Sequence, residues 1–211
     1  MGRLIKAREQ FTESQLAELV AALEGSRLVC MATDTVYGLS CLARSGEALE
    51  RLRKLKGAES RPFLLLVGDR SWVDELCADI PACARRLMTR YWPGPLTLVL
   101  KAAERVPGRV RGPRETVALR QPGSPLCRQL LLKLGGPLVS TSANLSGEPP
   151  CVTGEAAART FLKRVELVVD SGRAPAKKPS TMIDVTLVPP TVLREGSLRV
   201  NDELLALLAD T

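Results

Sequence analysis

The stretch "SPLCRQLLLKLGGPLVSTSANLSGEPP", Ser124 to Pro150, carries a helix, a strand and a polar turn in immediate succession. Ser124 is placed to cap a helix, Pro125 sits where a first-turn proline is tolerated, and Gly135-Gly136 end it. "PLVS" then reads as a buried strand. It runs into Ser140, Thr141, Ser142, Asn144 and Ser146, a cluster of hydroxyls with one amide. Such a cluster is either a solvated loop or a lining of donors aimed at an anion.

The same alternation continues on both sides. "FTESQLAELVAALEGS" has a Thr12/Gln15 capping box, Leu16, Leu19, Val20 and Leu23 on one face, and Gly25 as its stop. "RLVCMATDT" predicts a strand from Leu28 to Ala32 that ends in Thr33, Asp34 and Thr35. "SGEALERLRKLKG" repeats Leu49, Leu52 and Leu55 at helical spacing. "PFLLLV", "LTLVLKA", "TVALR", "VELVVD", "STMIDV" and "TVLREG" read as strands. "SWVDELC" (capped by Ser71), "PACARRLMTRYW", "TGEAAARTFL" and "NDELLALLA" read as helices. Interleaved strands and helices predict an α/β domain: a twisted, mixed, open sheet flanked by helices. With no repeat or linker, residues 1–211 are expected to form a single domain. "GRAPAKKPS", Gly172 to Ser180, is the expected mobile loop.

Composition removes whole classes of chemistry. The chain has no histidine, which excludes Ser-His and Cys-His nucleophile pairs and imidazole general bases. Six cysteines form no CxxC pair and are expected to be reduced and mostly buried. A net charge of +7 suits nucleotides, phosphates or RNA. No signal-like segment or membrane-length apolar run is present, so a cytoplasmic location and no membrane partner are expected. Neither GxxxxGK[ST] nor GxGxxG appears, so a phosphate would be held by hydroxyls, turn amides and separate cations.

In chain order, "TDTVYGL" (33–39), "LKG" (55–57), "WPGPLTLVL" (92–100), "TVALR" (116–120), "PLVSTSANLSGEPP" (137–150), "STMIDV" (180–185) and "LREG" (193–196) resemble the YrdC-type threonylcarbamoyl-AMP synthase family. The resemblance covers nearly the whole chain, with a motif-bearing core at about 12–200, and is to the short single-domain form. It implies an L-threonylcarbamoyladenylate synthase, an ATP-binding nucleotidyltransferase acting in tRNA threonylcarbamoyladenosine biosynthesis. Its substrates would be L-threonine, bicarbonate or CO2, and ATP. Mg²⁺ would be held mostly by nucleotide and water, with no metal ligand assigned to the protein. The product would be handed to a tRNA threonylcarbamoyltransferase.

By the same resemblance, Thr35, Arg120, Ser140 and Ser180 face threonine, with Arg120 on its carboxylate. Lys56, Arg61, Thr116, Ser142, Asn144 and Arg194 face ATP, and Lys56 and Arg61 serve catalysis. Read without the resemblance, Arg120 is a strand-end ion pair, Thr116 and Ser180 are solvated hydroxyls, and Tyr37 either walls the pocket or packs in the core. One departure stands out: Ala58 occupies the place of the family's arginine after Lys56, leaving Arg61, before Pro62, as the remaining cation. Two alternatives stay open: an RNA-binding paralogue with little synthase activity, and a carbamoyl-adenylate-forming carbamoyltransferase module. The second usually carries zinc-finger and acylphosphatase modules, which this sequence lacks.

Overall fold

A computed structural model describes residues 2–57 and 63–209. The chain runs β1 (Arg3–Lys6), α1 (Glu13–Glu24), β2 (Val29–Ala32), β3 (Tyr37–Leu42), α2 (Gly46–Lys56), β4 (Leu64–Leu66), α3 (Ser71–Leu76), β5 (Cys77–Asp79) and α4 (Ala82–Tyr91). It continues through β6 (Leu96–Ala102), β7 (Thr116–Arg120), α5 (Pro125–Leu134), β8 (Leu138–Ser142), α6 (Gly154–Phe161), β9 (Leu167–Asp170), β10 (Thr181–Asp184), β11 (Thr191–Arg194) and α7 (Asp202–Ala209). The strands form one mixed sheet in the order β1-β9-β2-β3-β8-β4-β7-β6-β10-β11, with β5 pairing β6. The expected architecture is therefore present.

Local chemistry accounts for the helix ends. The Thr12 side chain accepts from Gln15 N while the Gln15 side chain accepts from Thr12 N, so both halves of the capping box close. Ser45, Ser124 and Thr153 cap α2, α5 and α6 by the same type of bond. The cap expected at Ser71 is displaced. Arg70 occupies the cap position, and the Asp69 carboxylate accepts from both Ser71 N and Ser71 Oγ at 2.8 Å. Because an aspartate two residues upstream reaches these donors, Ser71 becomes the first helical residue.

The sheet separates two apolar cores. On one face α2, α3, α4, α6 and α7 cover Leu39, Cys41, Leu65, Leu98, Leu119 and Ile183. On the other, α1 and α5 bring Leu16, Leu19, Leu23, Leu130 and Leu131 against Met31, Leu42, Leu66, Leu138 and Val169. This second cover is partial. Strand register sets Leu42, Leu138, Leu66 and Arg120 in one lateral row, and Ser40, Ser140, Leu64 and Ala118 in the next. The first row is apolar under the helices until it reaches Arg120. There the covered core ends and a polar sheet face begins.

Three strands escaped the sequence reading. β3 has all six residues buried, so it shows no alternation. β1 buries only Ile5, and β5 is a short segment after α3 whose first residue, Cys77, the reading had placed at the end of that helix. The loop expected to be mobile is anchored in its first half. Gly172 O accepts from the Tyr37 hydroxyl at 2.8 Å, Ala174 N donates to Val152 O at 2.8 Å, and Ala176 N donates to Thr35 O at 3.2 Å. The cysteines are free, all buried except the half-buried Cys151.

Candidate functional site

A cavity of about 180 Å³ opens on the polar sheet face. Thr33, Thr35, Arg120, Ser140, Thr141, Ser142, Ser180 and Arg194 supply its polar wall, and Val36, Leu64, Leu66 and Met182 its apolar one. Of the expected site residues, Thr35, Arg120, Ser140, Ser142, Ser180 and Arg194 are thus brought together from five segments of the chain.

Arg120 ends β7 and is only 2% exposed, so it is no surface ion pair. Its Nε donates to Gly94 O at 2.9 Å, Nη1 to Thr35 Oγ1 at 3.0 Å and Nη2 to Asp34 Oδ1 at 2.6 Å. The "WPGP" turn, Trp92 to Pro95, therefore delivers a carbonyl to the site. A side chain at Gly94 would collide with Tyr91 O at 2.4 Å, which keeps this turn tight. Thr35 is held in turn by a 2.9 Å contact with Thr33 Oγ1, itself bonded to Val36 O.

Across the cavity, Arg194 reaches in from β11. Its Nε and Nη2 donate to Ser180 O at 3.1 and 2.9 Å, and the Ser180 hydroxyl pairs with Thr97 Oγ1 at 2.7 Å. Arg194 stands exposed at the rim, where partial desolvation lowers its pKa first and the Arg120 charge lowers it further. Two guanidiniums facing one cavity repel, and an anion placed between them relieves that repulsion.

The floor belongs to β3 and β8. Ser40 Oγ donates to Ser140 Oγ at 3.2 Å. Gly38 lies beside them, and a Cβ there would meet Ser140 Oγ at 2.8 Å, so glycine keeps the floor low. Past the strand end, Ser142 Oγ donates to Asn144 Oδ1 at 2.6 Å. Lys56, the last residue of α2, donates to Ser142 O, Asn144 O and Asn144 Oδ1 at 2.8–2.9 Å. The Asn144 amide donates to Leu145 O and Glu148 O. The hydroxyl-rich turn is thus an ordered structure built around an ammonium.

One expected residue lies elsewhere. Thr116 shares the sheet face of Ala118 and Arg120 but sits at the other end of β7, with its hydroxyl donating to Pro113 O at 2.9 Å. Arg61, with Ala58, lies outside the described residues. Of the two roles weighed for Tyr37, the structure shows packing in the core: its side chain is fully buried with Leu39 and Cys41, and its hydroxyl donates to Gly172 O at 2.8 Å. The sequence reading assigned no role to Asp34, Thr97 or Gly38. Asp34 had one available signal, its position between two site threonines in "TDT".

Fold and site together define an α/β protein with a cationic, hydroxyl-lined cavity on a half-bare sheet face. The family model for Sua5, YciO and YrdC domains, described as "Telomere recombination", matches residues 21–196, and the chain belongs to that family. It is 33% identical over 203 residues to the threonylcarbamoyl-AMP synthase of Pyrococcus abyssi, covering 96% of this chain and 60% of that protein. It is 39% identical over 172 residues to the enzyme of the same name from Thiobacillus denitrificans, covering 79% of this chain and 89% of that protein. The P. abyssi Sua5 structure complexed with L-threonine superposes with a TM-score of 0.92 at 32% identity, over 97% of this chain and 60% of that one.

Proposed function

We propose that the chain is an L-threonylcarbamoyladenylate synthase, making threonylcarbamoyl-AMP and pyrophosphate from L-threonine, bicarbonate or CO2, and ATP. The observation that carries this reading is the convergence of Arg120 and Arg194 on one hydroxyl-lined cavity. A deeply buried guanidinium with two N–H groups beyond its bonds to Gly94, Thr35 and Asp34 suits a carboxylate. The relatives named threonylcarbamoyl-AMP synthase and the threonine-bound Sua5 support the same assignment.

In this reading the threonine carboxylate meets Arg120, and Thr35, Ser140 and Ser180 orient the rest of the amino acid. Its amine takes up bicarbonate with loss of water, giving a carbamate. A carbamate oxygen attacks the α-phosphorus of ATP, the bond from that phosphorus to the bridging oxygen breaks, and pyrophosphate leaves. Ser142, Asn144 and Arg194 face the nucleotide, Thr116 is kept as a more distant contact from the far end of β7, and Lys56 shapes the turn that receives it. Arg61 is the expected further cation. Positioning and charge neutralisation carry such a displacement, so the missing imidazole is no obstacle. The cavity wall offers hydroxyls and guanidiniums, and no three metal-binding side chains gather among the described residues. Mg²⁺ accordingly enters with ATP, held by phosphate oxygens and water.

We further propose that the 211 residues work as one domain in the cytoplasm and hand their product to a tRNA threonylcarbamoyltransferase. None of the described helices is long and apolar enough to cross a membrane. The test is pyrophosphate release from ATP, Mg²⁺ and bicarbonate with and without L-threonine. Threonine-dependent release is expected, and release indifferent to threonine refutes the synthase reading.

A second reading, RNA contact, is favoured by a groove of about 420 Å³ away from the cavity. It is lined by Arg27, Arg51, Lys54, Lys163 and Arg164, with Glu166 as the one carboxylate in the lining. Labelled tRNA should bind with an affinity that falls steeply as salt rises, and Lys163→Glu/Arg164→Glu should flatten that slope. Salt-independent binding, or none, removes this reading.

A further inference from the structure

We infer that Asp34 is a positioning residue for amino-acid recognition, acting through Arg120. The inference rests on the synthase reading and adds a residue that neither the family resemblance nor the sequence reading assigned. Asp34 Oδ1 lies 2.6 Å from Arg120 Nη2, with the arginine side chain 3% and the aspartate side chain 16% exposed. A guanidinium this deep needs a counter-charge. The need is sharper here because Arg194 faces the same cavity.

The geometry also fixes orientation. Gly94 O, Thr35 Oγ1 and Asp34 Oδ1 bind three different nitrogens of Arg120, coming from two loops far from it in sequence. A planar group held at three nitrogens has one orientation, and its remaining N–H groups form a fixed receptor for a carboxylate. Asp34 is in turn seated against Gly123, where a Cβ would lie 3.3 Å from the Asp34 Cβ, Cγ and Oδ2. That contact provides a way to disturb Asp34 without altering its chemistry.

The experiment is L-threonine and ATP binding by calorimetry on the full chain, with thermal melting as a fold control. Asp34→Ala should weaken threonine binding at least roughly tenfold and leave ATP affinity within twofold, the pattern of a lost carboxylate receptor. Asp34→Asn keeps the Oδ1 acceptor without its charge and should recover only part of the loss, the remainder being the missing counter-charge. Gly123→Ala should weaken threonine alone, by about two- to fivefold. The Asn and Gly123 variants decide the matter if Asp34→Ala fails to fold. Threonine affinity unchanged in these variants overturns the positioning role, as does an equal loss of threonine and ATP. A wild-type chain that binds no threonine overturns the synthase reading itself, and the positioning role with it.

Discussion

At the scale of single residues, the site depends on one absent side chain as much as on those present. Gly38 has no need of glycine for its backbone; what it leaves free is the space over Ser140. A Cβ there would stand 2.8 Å from Ser140 Oγ and 3.3 Å from Thr141 O, so Gly38→Ala must turn the serine hydroxyl off Ser40 and into the cavity. One misdirected hydrogen bond is worth about 0.5–1.5 kcal/mol, so threonine affinity should fall roughly three- to tenfold. Calorimetry on a variant that melts normally would show this, and an unaltered Kd would mean that Ser140 does not touch the amino acid. Arg194→Ala acts on the opposite wall. It removes the cation that Arg120 repels and releases Ser180 O, so ATP binding should weaken at least tenfold while the fold persists. Titration with ATP alone tests that assignment, and equal loss for threonine would move Arg194 out of the nucleotide's half of the site.

At the scale of elements, caps and turns are local devices whose effects can be separated from the site. Thr12→Ala opens the capping box of α1 and should cost about 1 kcal/mol, seen as a lower urea midpoint with substrate binding intact. Lys56→Met is the opposite kind of change. It withdraws an ammonium from Ser142 O, Asn144 O and Asn144 Oδ1, so amide exchange should quicken through residues 143–148 while β8 stays protected. Protection unchanged in that turn would show that the lysine does not order it. The same division explains what could be read in advance. Helix α1 with its cap, α5 with Ser124 and Gly135, and the hydroxyl cluster after β8 are all written within a few residues. β3 is hidden because burial on both faces erases alternation, and β1 because a single buried Ile5 leaves no pattern. The cluster could be recognised as ligand-facing, but the Arg120–Asp34 pair joins residues 86 apart, and only the folded sheet brings them together.

At the scale of the whole molecule, the partition into two cores fixes how stability responds to alkali. Cys41 and Cys77 lie in the core under α2 and α4, and Cys127 in the core under α1 and α5. Burial pushes each of these thiols up to about 12, and Cys30 is raised as well by burial, then by Cys151. An unfolded thiol ionises near 9.0. Below that pH both states keep the proton, and the native state has its full stability. Above it the unfolded chain releases protons that the native chain retains, so stability falls as pH rises from about 9 toward 12. Each such thiol contributes a slope of about 1.4 kcal/mol per pH unit, and several acting together make the loss steep. Urea midpoints at pH 8, 9, 10 and 10.5 should therefore be level at first and then drop, with Cys127→Ala showing a shallower fall. Buried thiols are also poor nucleophiles, so a thiol reagent at pH 8 should label the native chain slowly, starting at half-buried Cys151, and all six cysteines at once in urea. A flat midpoint across this range, or rapid native labelling of Cys41 or Cys127, would mean that these cores admit water where the packing says they are closed.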